Sequence, residues 1–323
     1  MQDIQEIKPL FSRSAAIAEK WMLRYLAEEN ITRRKIQDPV SFYKWPLTLA
    51  AKGREPEASD LLWWINKNCL TEDGDYLSDR SGFHREFHIY STLWLVLAAI
   101  RLGDHETVEK AMGFVINYHN PVTGGVATFP AEDNIITEDL VTSAFLGMVA
   151  CELNDPDLAD KVLQFVEKAA GQNLNSDIFR VRFDTDGNAI KTIPDGADIK
   201  TYEIKLGKKE ESYYFLGAAC FFLARYMETF KIDISGLAYK YCEILEKAGG
   251  GALHTIWAAK GAPGCIALYS NSGDKRFLSL AEPVIDAVIS SQHPDGYWVK
   301  NGRPWVTVSA EQCYWLTLIA RRL

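Results

Sequence analysis

The chain is dominated by segments in which apolar residues recur every three or four positions. Leu, Ala and aromatic residues hold these positions, and that spacing is typical of helices that bury one face. The pattern predicts twelve helices, over residues 11–29, 40–52, 56–69, 87–102, 105–117, 137–153, 156–171, 210–229, 234–248, 254–270, 274–292 and 307–321. One passage near residues 178–193 instead alternates apolar and polar residues around Asp186-Gly187, which predicts a small β-hairpin insert.

The connections between the predicted helices alternate between short and long. Short ones contain helix-ending glycines such as Gly53 and Gly103, or capping acids such as Asp104 and Asp155. The long ones cover residues 30–39, 70–86, 118–136, 172–209, 249–253 and 293–306. Antiparallel helix pairs joined in this way gather all long loops at one end. We therefore expect an all-α fold, an (α/α)6 barrel or toroid of six helical hairpins, in which residues 1–323 form a single domain.

Some of the predicted helices are apolar nearly all round, as the inner ring of such a barrel requires. They include the stretches STLWLVLAAI, VTSAFLGMVA and YYFLGAACFFLA. Each is too short to span a bilayer, so we expect buried helices and no membrane partner.

Composition and charge narrow the function classes. The chain has 323 residues, of which 47% are hydrophobic and 24% charged, an ordinary globular balance. A formal net charge of −8 argues against nucleic acid as a partner, because the phosphate backbone attracts basic proteins. The first residues show no signal-peptide pattern and the six cysteines form no C-x-x-C pair, so we expect reduced thiols and a cytoplasmic location. No phosphate-binding or dinucleotide motif is present, so we predict no cofactor; nothing in the pattern indicates an oligomeric state.

The phrase SSQHPDGYW, just before the last predicted helix, places Gln292, Gly296 and Trp298 in a Q-x-x-x-G-x-W spacing. Glycine permits the positive φ that a tight turn needs, Gln292 can bond the loop backbone, and Trp298 can seal the gap between hairpins. Weaker versions of the phrase follow residues 67 and 117. The phrase therefore predicts architecture, and the chemistry must lie elsewhere.

Q-x-x-x-G-x-W resembles the QW motif of terpenoid cyclases. The turns are also similar to those of the wider α/α-toroid group, which includes protein prenyltransferase β subunits and lanthipeptide cyclases. In that group the QW residues are structural, so the resemblance implies a toroid fold and no particular activity. The D-x-D-D and D-D-x-x-D motifs of the cyclases are absent, and the nearest string, Asp184 to Gly187, lies in the predicted hairpin turn. Ala259 and Lys260 stand where lanthipeptide cyclases have Cys and His zinc ligands, so zinc-dependent chemistry is not expected.

Candidate chemistry concentrates on the side of the long loops, where the cavity of the barrel would open. His84 and His88 lie four residues apart and could share a helix face, but no further metal ligand is evident, and we predict no metal. One histidine suits acid–base work near neutral pH, with Arg85 holding an anionic group; the alternative is a solvated loop.

Two acids and two tyrosines begin predicted inner helices. Glu138 and Asp139 could serve the helix dipole, or Asp139 could be a general acid or base whose pKa is raised by burial and by its neighbour. Glu211 could exchange protons with Tyr213 or Tyr214. We accordingly predict four catalytic residues: His88, Asp139, Glu211 and Tyr214.

The remaining polar and aromatic residues on that side are predicted to bind substrate. They are Tyr43, Trp45, His84, Arg85, Tyr90, Glu138, Tyr213, Trp257, Lys260, Trp305 and Glu311. For each the alternative is helix capping, dipole stabilisation or aromatic packing.

Three function hypotheses remain open. The favoured one is an acid–base lyase or isomerase, cyclase-like, acting on a hydrophobic terpenoid or polyketide-type small molecule, since the predicted inner helices are strongly apolar. The second is a carbohydrate-active enzyme, a hydrolase, lyase or epimerase that uses paired carboxylates. The third is a non-catalytic helical scaffold that binds a partner.

Overall fold

The computed structural model of the protein describes residues 4–29, 39–76, 85–130 and 136–323. Within these ranges thirteen α-helices form most of the chain. They are α1 (Ile4–Glu29), α2 (Trp45–Ala51), α3 (Glu55–Cys69), α4 (His88–Leu102), α5 (His105–Val115), α6 (Leu140–Leu153), α7 (Pro156–Asn173), α8 (Tyr214–Phe230), α9 (Ser235–Ala248), α10 (Gly250–Leu253), α11 (Gly261–Ser272), α12 (Lys275–Ser290) and α13 (Val306–Arg322). Short 3₁₀ turns cover Pro39–Phe42, Ile116–Tyr118, Ile199–Thr201 and Ile256–Ala258.

The predicted helices are present, with two differences. The segment 40–52 is a 3₁₀ turn followed by α2, which begins at Trp45 with a proline in its first turn. The segment 254–270 is divided into the 3₁₀ turn Ile256–Ala258, which the Thr255 hydroxyl caps by accepting the Trp257 N–H, and α11 from Gly261.

Local capping chemistry sets several helix ends. Asp104 and Asp155 accept the amide N–H groups of Thr107 and Leu158, each at 3.1 Å, at the starts of α5 and α7. These bonds satisfy donors that have no partner within the helix. Gly103 ends α4 in the left-handed region, with φ of 72°.

The chain divides into two compact units. Unit 1 comprises Met1–Asn117 and Ile289–Leu323, and unit 2 comprises Tyr118–Val288. In unit 1 helix α2 packs between α4 and α13, while α1 packs on α13, α3 on α2 and α5 on α4. That residues 1–323 form one domain stays a prediction.

Unit 2 repeats this arrangement of apolar and amphipathic helices. Helix α8 packs between α6 and α11, with α7 on α6 and α9 on α8. Helix α12 packs against α9 through Phe277, whose ring stacks on Tyr239 with 5.5 Å between the ring centroids. Helix α6 is buried on all sides from Leu140 to Cys151, as predicted for an inner helix.

Within the described ranges the strands are short and pair two by two. They are β1 (Glu138–Asp139), β2 (Ile178–Arg180), β3 (Arg182–Phe183), β4 (Glu203–Lys205), β5 (Val299–Lys300) and β6 (Arg303–Pro304). The pairs β1–β3, β2–β4 and β5–β6 are all antiparallel.

The predicted hairpin insert is present at its turn. Asp184 N–H donates to Asn188 O at 2.9 Å, and Gly187 has φ of 72°. The residues before the turn, however, pair mainly with more distant segments: β2 with β4 and β3 with β1. This long-range pairing satisfies the backbone of the insert and sets Asp139 directly opposite Arg182.

The glycine turns have a common geometry. Gly74, Gly124 and Gly296 have φ of 94°, 79° and 106°. A Cβ atom there would lie 2.1, 1.8 and 2.4 Å from the carbonyl oxygens of Lys110, Lys161 and Ile17, respectively. Only glycine permits both the left-handed backbone and this close approach to a neighbouring helix.

Gln292 and Trp298 complete the last of these turns. Gln292 accepts the Ser14 hydroxyl at 2.6 Å and donates through Nε2 to Ser14 O at 3.1 Å and Gly296 O at 3.2 Å. Trp298 is 1% exposed, and its backbone N–H donates to Ser309 Oγ at 2.9 Å. The Gln292 side chain therefore fastens the turn to α1 and the Trp298 backbone fastens it to α13, in agreement with the structural interpretation of the motif.

Two further expectations concern burial. All six cysteine side chains are buried. None of the helices in the described ranges combines the length and the apolar character needed to cross a bilayer.

Candidate active site

Asp139 lies at the junction of β1 and α6 in unit 2, and its side chain is 0% exposed. Oδ1 accepts the Thr142 amide N–H at 2.8 Å, which caps the helix. Oδ2 is buried and has no hydrogen-bond partner among the described residues. The carboxyl therefore combines a structural oxygen with one available for other chemistry.

The burial of Asp139 changes its acidity. Loss of water raises its pKa to about 6, although the charge of Arg182 and the hydrogen bonds from Thr142 act to lower it. Desolvation dominates because the charged form loses its hydration inside the protein. A carboxyl with this pKa can hold a proton close to neutral pH and donate it.

Arg182 is the cross-strand partner of Asp139 and is also 0% exposed. Its Nε donates to Thr201 O at 3.0 Å, and Nη1 donates to the hydroxyls of Thr128 at 2.5 Å and Thr137 at 3.1 Å. The guanidinium carbon lies 5.1 Å from the centre of the Phe129 ring and 5.0 Å from that of the Tyr202 ring. These contacts hold the cation in one orientation.

Glu138 points to the opposite face of the β1–β3 pair, because successive side chains of a strand alternate. Its carboxylate accepts Asn120 Nδ2 at 2.7 Å and the Thr123 hydroxyl at 2.8 Å. Burial raises the pKa of Glu138, and the hydrogen bonds from Thr123 and Asn120 partly offset the effect. Its observed contacts thus fasten the glycine turn at residues 118–126, while its predicted role in substrate binding stays a prediction.

The predicted acid–tyrosine group lies at the start of α8, with Glu211 and Tyr213 just before the helix and Tyr214 as its first residue. Glu211 accepts the Lys205 amide at 3.2 Å, and the Tyr213 hydroxyl donates to Lys208 O at 2.8 Å. Burial raises the pKa of Tyr213 to about 12. The Tyr214 ring is half-buried, stacks on Phe215, and carries Lys260 Nζ at 4.9 Å above its face.

Trp257 shares unit 2 with Asp139 and is 36% exposed. Its Nε1 donates to Glu210 at 3.0 Å, and the Thr255 hydroxyl donates to the same carboxylate at 3.4 Å. Glu210 was not predicted as a site residue. Its φ of 60°, uncommon for a residue with a Cβ atom, marks a constrained backbone position that sequence patterns do not reveal.

Unit 1 holds a buried ion pair between Lys44 and Glu311, each 5% exposed. Trp315 Nε1 also donates to Glu311, at 3.1 Å. Three rings surround Lys44 Nζ, with centroids at 5.2, 5.9 and 5.6 Å; they belong to Tyr43, Tyr90 and Trp94. Lys44 was not predicted as a site residue, and its place between two aromatic residues at a helix start is the only signal in the sequence.

His88, also in unit 1, is buried at the start of α4 with Nε2 3.0 Å from Asp75 Oδ1. Asp75 follows Gly74 in the first glycine turn and was not predicted as its partner. Arg85 is exposed, and His84 lies outside the described residues. Within the described ranges, no group of three or more His, Cys, Asp or Glu side chains is placed to hold a metal ion.

Two predicted substrate-binding tryptophans of unit 1 have different surroundings. Trp45 is 0% exposed, packs against Trp21, and donates Nε1 to Val306 O at 3.2 Å. Trp305 is half-buried, with Lys300 Nζ 4.7 Å above its ring. The roles of both in substrate binding stay predictions.

No protein-family model and no curated protein matches the chain. Solved structures do resemble it. A variant of the type II terpene cyclase MstE from Scytonema, bound to its product merosterolic acid A, has a TM-score of 0.62 at 13% identity, covering 99% of this chain and 100% of that one. An unsaturated glucuronyl hydrolase specific for heparin has a TM-score of 0.65 at 10% identity, covering 97% of each chain. Cellobiose 2-epimerase from Bacillus thermoamylovorans has a TM-score of 0.58 at 13% identity, covering 88% of each.

At these identities the likeness shows the fold alone. It confirms the predicted fold class, an all-α fold of the α/α-toroid kind. The three similar proteins are enzymes, and the same fold occurs with different activities.

Proposed function

We propose that this protein is a cyclase-like isomerase or lyase that uses the protonated Asp139 carboxyl as a general acid on a hydrophobic, terpenoid- or polyketide-type substrate. The observation that carries the proposal is the state of that carboxyl. It is 0% exposed, burial raises its pKa to about 6, and Oδ2 has no hydrogen-bond partner among the described residues. A group with that pKa is half protonated at about pH 6, far above the range of an ordinary carboxyl, and its proton can be transferred to a weakly basic carbon.

The proposed step begins with transfer of the Asp139 proton to one carbon of a substrate double bond. The π electrons form the new C–H bond, and the other carbon becomes a cation. Attack by a second double bond closes a ring. A carbon next to the new cation then gives up a proton that restores the Asp139 carboxyl, so substrate and enzyme regain their charge and the net reaction is an isomerisation. Exclusion of water around the buried Asp139 carboxyl would protect the cation from hydration, and aromatic faces would stabilise it.

The structural comparisons support a substrate of this class. MstE has been solved with geranylgeranyl dihydroxybenzoate as substrate and merosterolic acid A as product, and its fold covers 99% of this chain. The side chains of α6 from Phe145 to Cys151 are apolar and buried, which fits a hydrophobic substrate better than a polar one.

The decisive experiment incubates the protein with a panel of polyprenyl compounds, including geranylgeranylated aromatics, and separates the products by liquid chromatography and mass spectrometry. Asp139→Asn keeps the shape and the helix cap but removes the acid, so we expect product formation to fall at least about 100-fold. Asp155→Asn is the matched control, since Asp155 caps α7 in the same way but is only half-buried. Undiminished turnover in Asp139→Asn rules out the proposed role.

His88, Glu211 and Tyr214 remain proposed as further catalytic residues. The imidazole of His88, oriented by Asp75, suits the acceptance of a proton. Alanine variants at His88 and Glu211 test these roles with the same panel. Full activity in both variants would leave Asp139 as the acid and remove the two assignments.

A carbohydrate-active enzyme is the second candidate, and one observation favours it. The exposed Trp257 ring is held edge-on by the Glu210 carboxylate, and an aromatic face beside an acid suits a sugar ring. An unsaturated glucuronyl hydrolase and a cellobiose 2-epimerase share the fold. Assays with unsaturated glucuronyl disaccharides and cellobiose test this candidate. Turnover of a sugar that is lost in Trp257→Ala, with no product from the polyprenyl panel, would replace the first proposal by the second.

A further inference from the structure

We propose that Arg182 is the positioning residue of Asp139: its buried guanidinium fixes the strand that carries the acid and supplies the positive charge that faces it. This inference rests on the proposed role of Asp139. Arginine is almost never fully buried unless it is paired, so a 0% exposed guanidinium requires a specific reason.

The contacts of Arg182 come from segments far apart in the chain. The hydroxyls of Thr128 and Thr137 accept hydrogen bonds from Arg182 Nη1, and the backbones of the two threonines are joined by a hydrogen bond from Thr128 N to Thr137 O at 3.0 Å. The Thr201 carbonyl oxygen accepts a hydrogen bond from Arg182 Nε at 3.0 Å. One side chain thus ties together the residues before β1, the strand β3 and the 3₁₀ turn before β4. Its planar fork is suited to this, because several donors are held in fixed directions.

The register of β1 and β3 decides which acid takes the buried position. The two strands are only two residues long and pair Asp139 with Arg182 and Glu138 with Phe183. A shift by one residue would exchange the faces of Glu138 and Asp139. Backbone hydrogen bonds from Asp139 N to Val126 O at 3.3 Å and from Leu140 N to Val181 O at 3.1 Å hold β1 on both sides, and the side-chain contacts of Arg182 add to that restraint.

The charge of Arg182 also acts on the Asp139 carboxyl. It favours the ionised form and opposes desolvation, so it keeps the pKa from rising further. Other charged groups near this site are engaged elsewhere: Glu138 with Asn120 and Thr123. On the neighbouring elements, Arg180 of β2 pairs with Glu203 of β4, Lys168 of α7 bonds to Asp186 O, and Arg225 of α8 pairs with Glu152 of α6.

The test is a ¹³C NMR titration of the Asp139 carboxyl in the full-length protein, assigned through the missing signal of Asp139→Asn. In Arg182→Met we expect the titration midpoint of Asp139 to rise by about one to three pH units, since the opposing charge is gone. Arg182→Lys keeps the charge but loses the fork, so its midpoint should stay near that of the wild type while kcat falls. Arg180→Met is the matched control, two residues away on β2 and paired with Glu203, and should leave the midpoint unchanged.

An unshifted midpoint in Arg182→Met, equal to that of Arg180→Met, overturns the inference. If the methionine variant does not fold, Arg182→Gln keeps an amide for the threonine contacts, and the same rise is expected. With a substrate in hand, the alkaline limb of kcat/KM should move with the midpoint, which a purely structural residue would not cause. The titration needs no substrate: an active Asp139→Asn rejects the proposed function, whereas an unshifted titration rejects the role of Arg182.

Discussion

Replacing Asp139 by Asn should change how the stability of the protein depends on pH. In the folded state the Asp139 pKa is raised to about 6 from its ordinary 3.8. Each tenfold change in proton affinity is worth about 1.4 kcal/mol, so this difference corresponds to about 3 kcal/mol. Because the raised value belongs to the folded state, the stabilisation is present below about pH 4 and is lost as the pH rises through about 6.

The wild type should therefore lose about 3 kcal/mol of unfolding free energy relative to Asp139→Asn between pH 3 and pH 7. Asn retains the cap because it is as good an N-cap residue as Asp. Denaturant unfolding at several pH values, followed by tryptophan fluorescence, measures the difference, with Asp155→Asn as the control that should track the wild type. Parallel pH curves for the wild type and Asp139→Asn would mean that the carboxylate is solvated or neutralised, and the reasoning about a proton held near neutrality would be wrong.

Two further predictions concern the framework of unit 1. Gly296→Ala should lower the free energy of unfolding by about 3 kcal/mol or more, because a Cβ atom would lie 2.4 Å from Ile17 O. Gly302→Ala should lower it by only about 1 kcal/mol, because the φ of Gly302 is also positive but no atom lies within 4 Å of the added Cβ. Thermal unfolding compares the two, and equal losses would refute the importance of the close approach. Lys44→Met should lower the free energy of unfolding by about 3–5 kcal/mol, because it leaves Glu311 buried without its cation. The double variant Lys44→Met with Glu311→Leu should regain most of that stability. If the single variant unfolds at the same denaturant concentration as the wild type, the pair is not buried as described.

Much of the fold could be predicted because its signals are local. Helical spacing, the capping Asp155 and the left-handed Gly103 each act within one turn of the chain. The turn glycine Gly296 was likewise evident from its spacing to Gln292 and Trp298. Helix and turn chemistry of this kind depends on neighbours a few residues away, so the sequence alone determined most of the helices and their order.

The candidate site is different, because its properties arise from contacts between distant residues. The sequence placed Asp139 at a helix start, but its burial and its raised pKa depend on the pairing of β1 with β3, 43 residues further along the chain. Arg182 sits in an alternating passage that is typical of a half-exposed hairpin, yet its side chain is completely buried. The sequence did not predict that Lys44 pairs with Glu311 or that Asp75 pairs with His88, for the same reason. Removal of water and the choice of a charged partner are decided only when separate segments pack together, and that is why tertiary structure alone determined the acidity of this site.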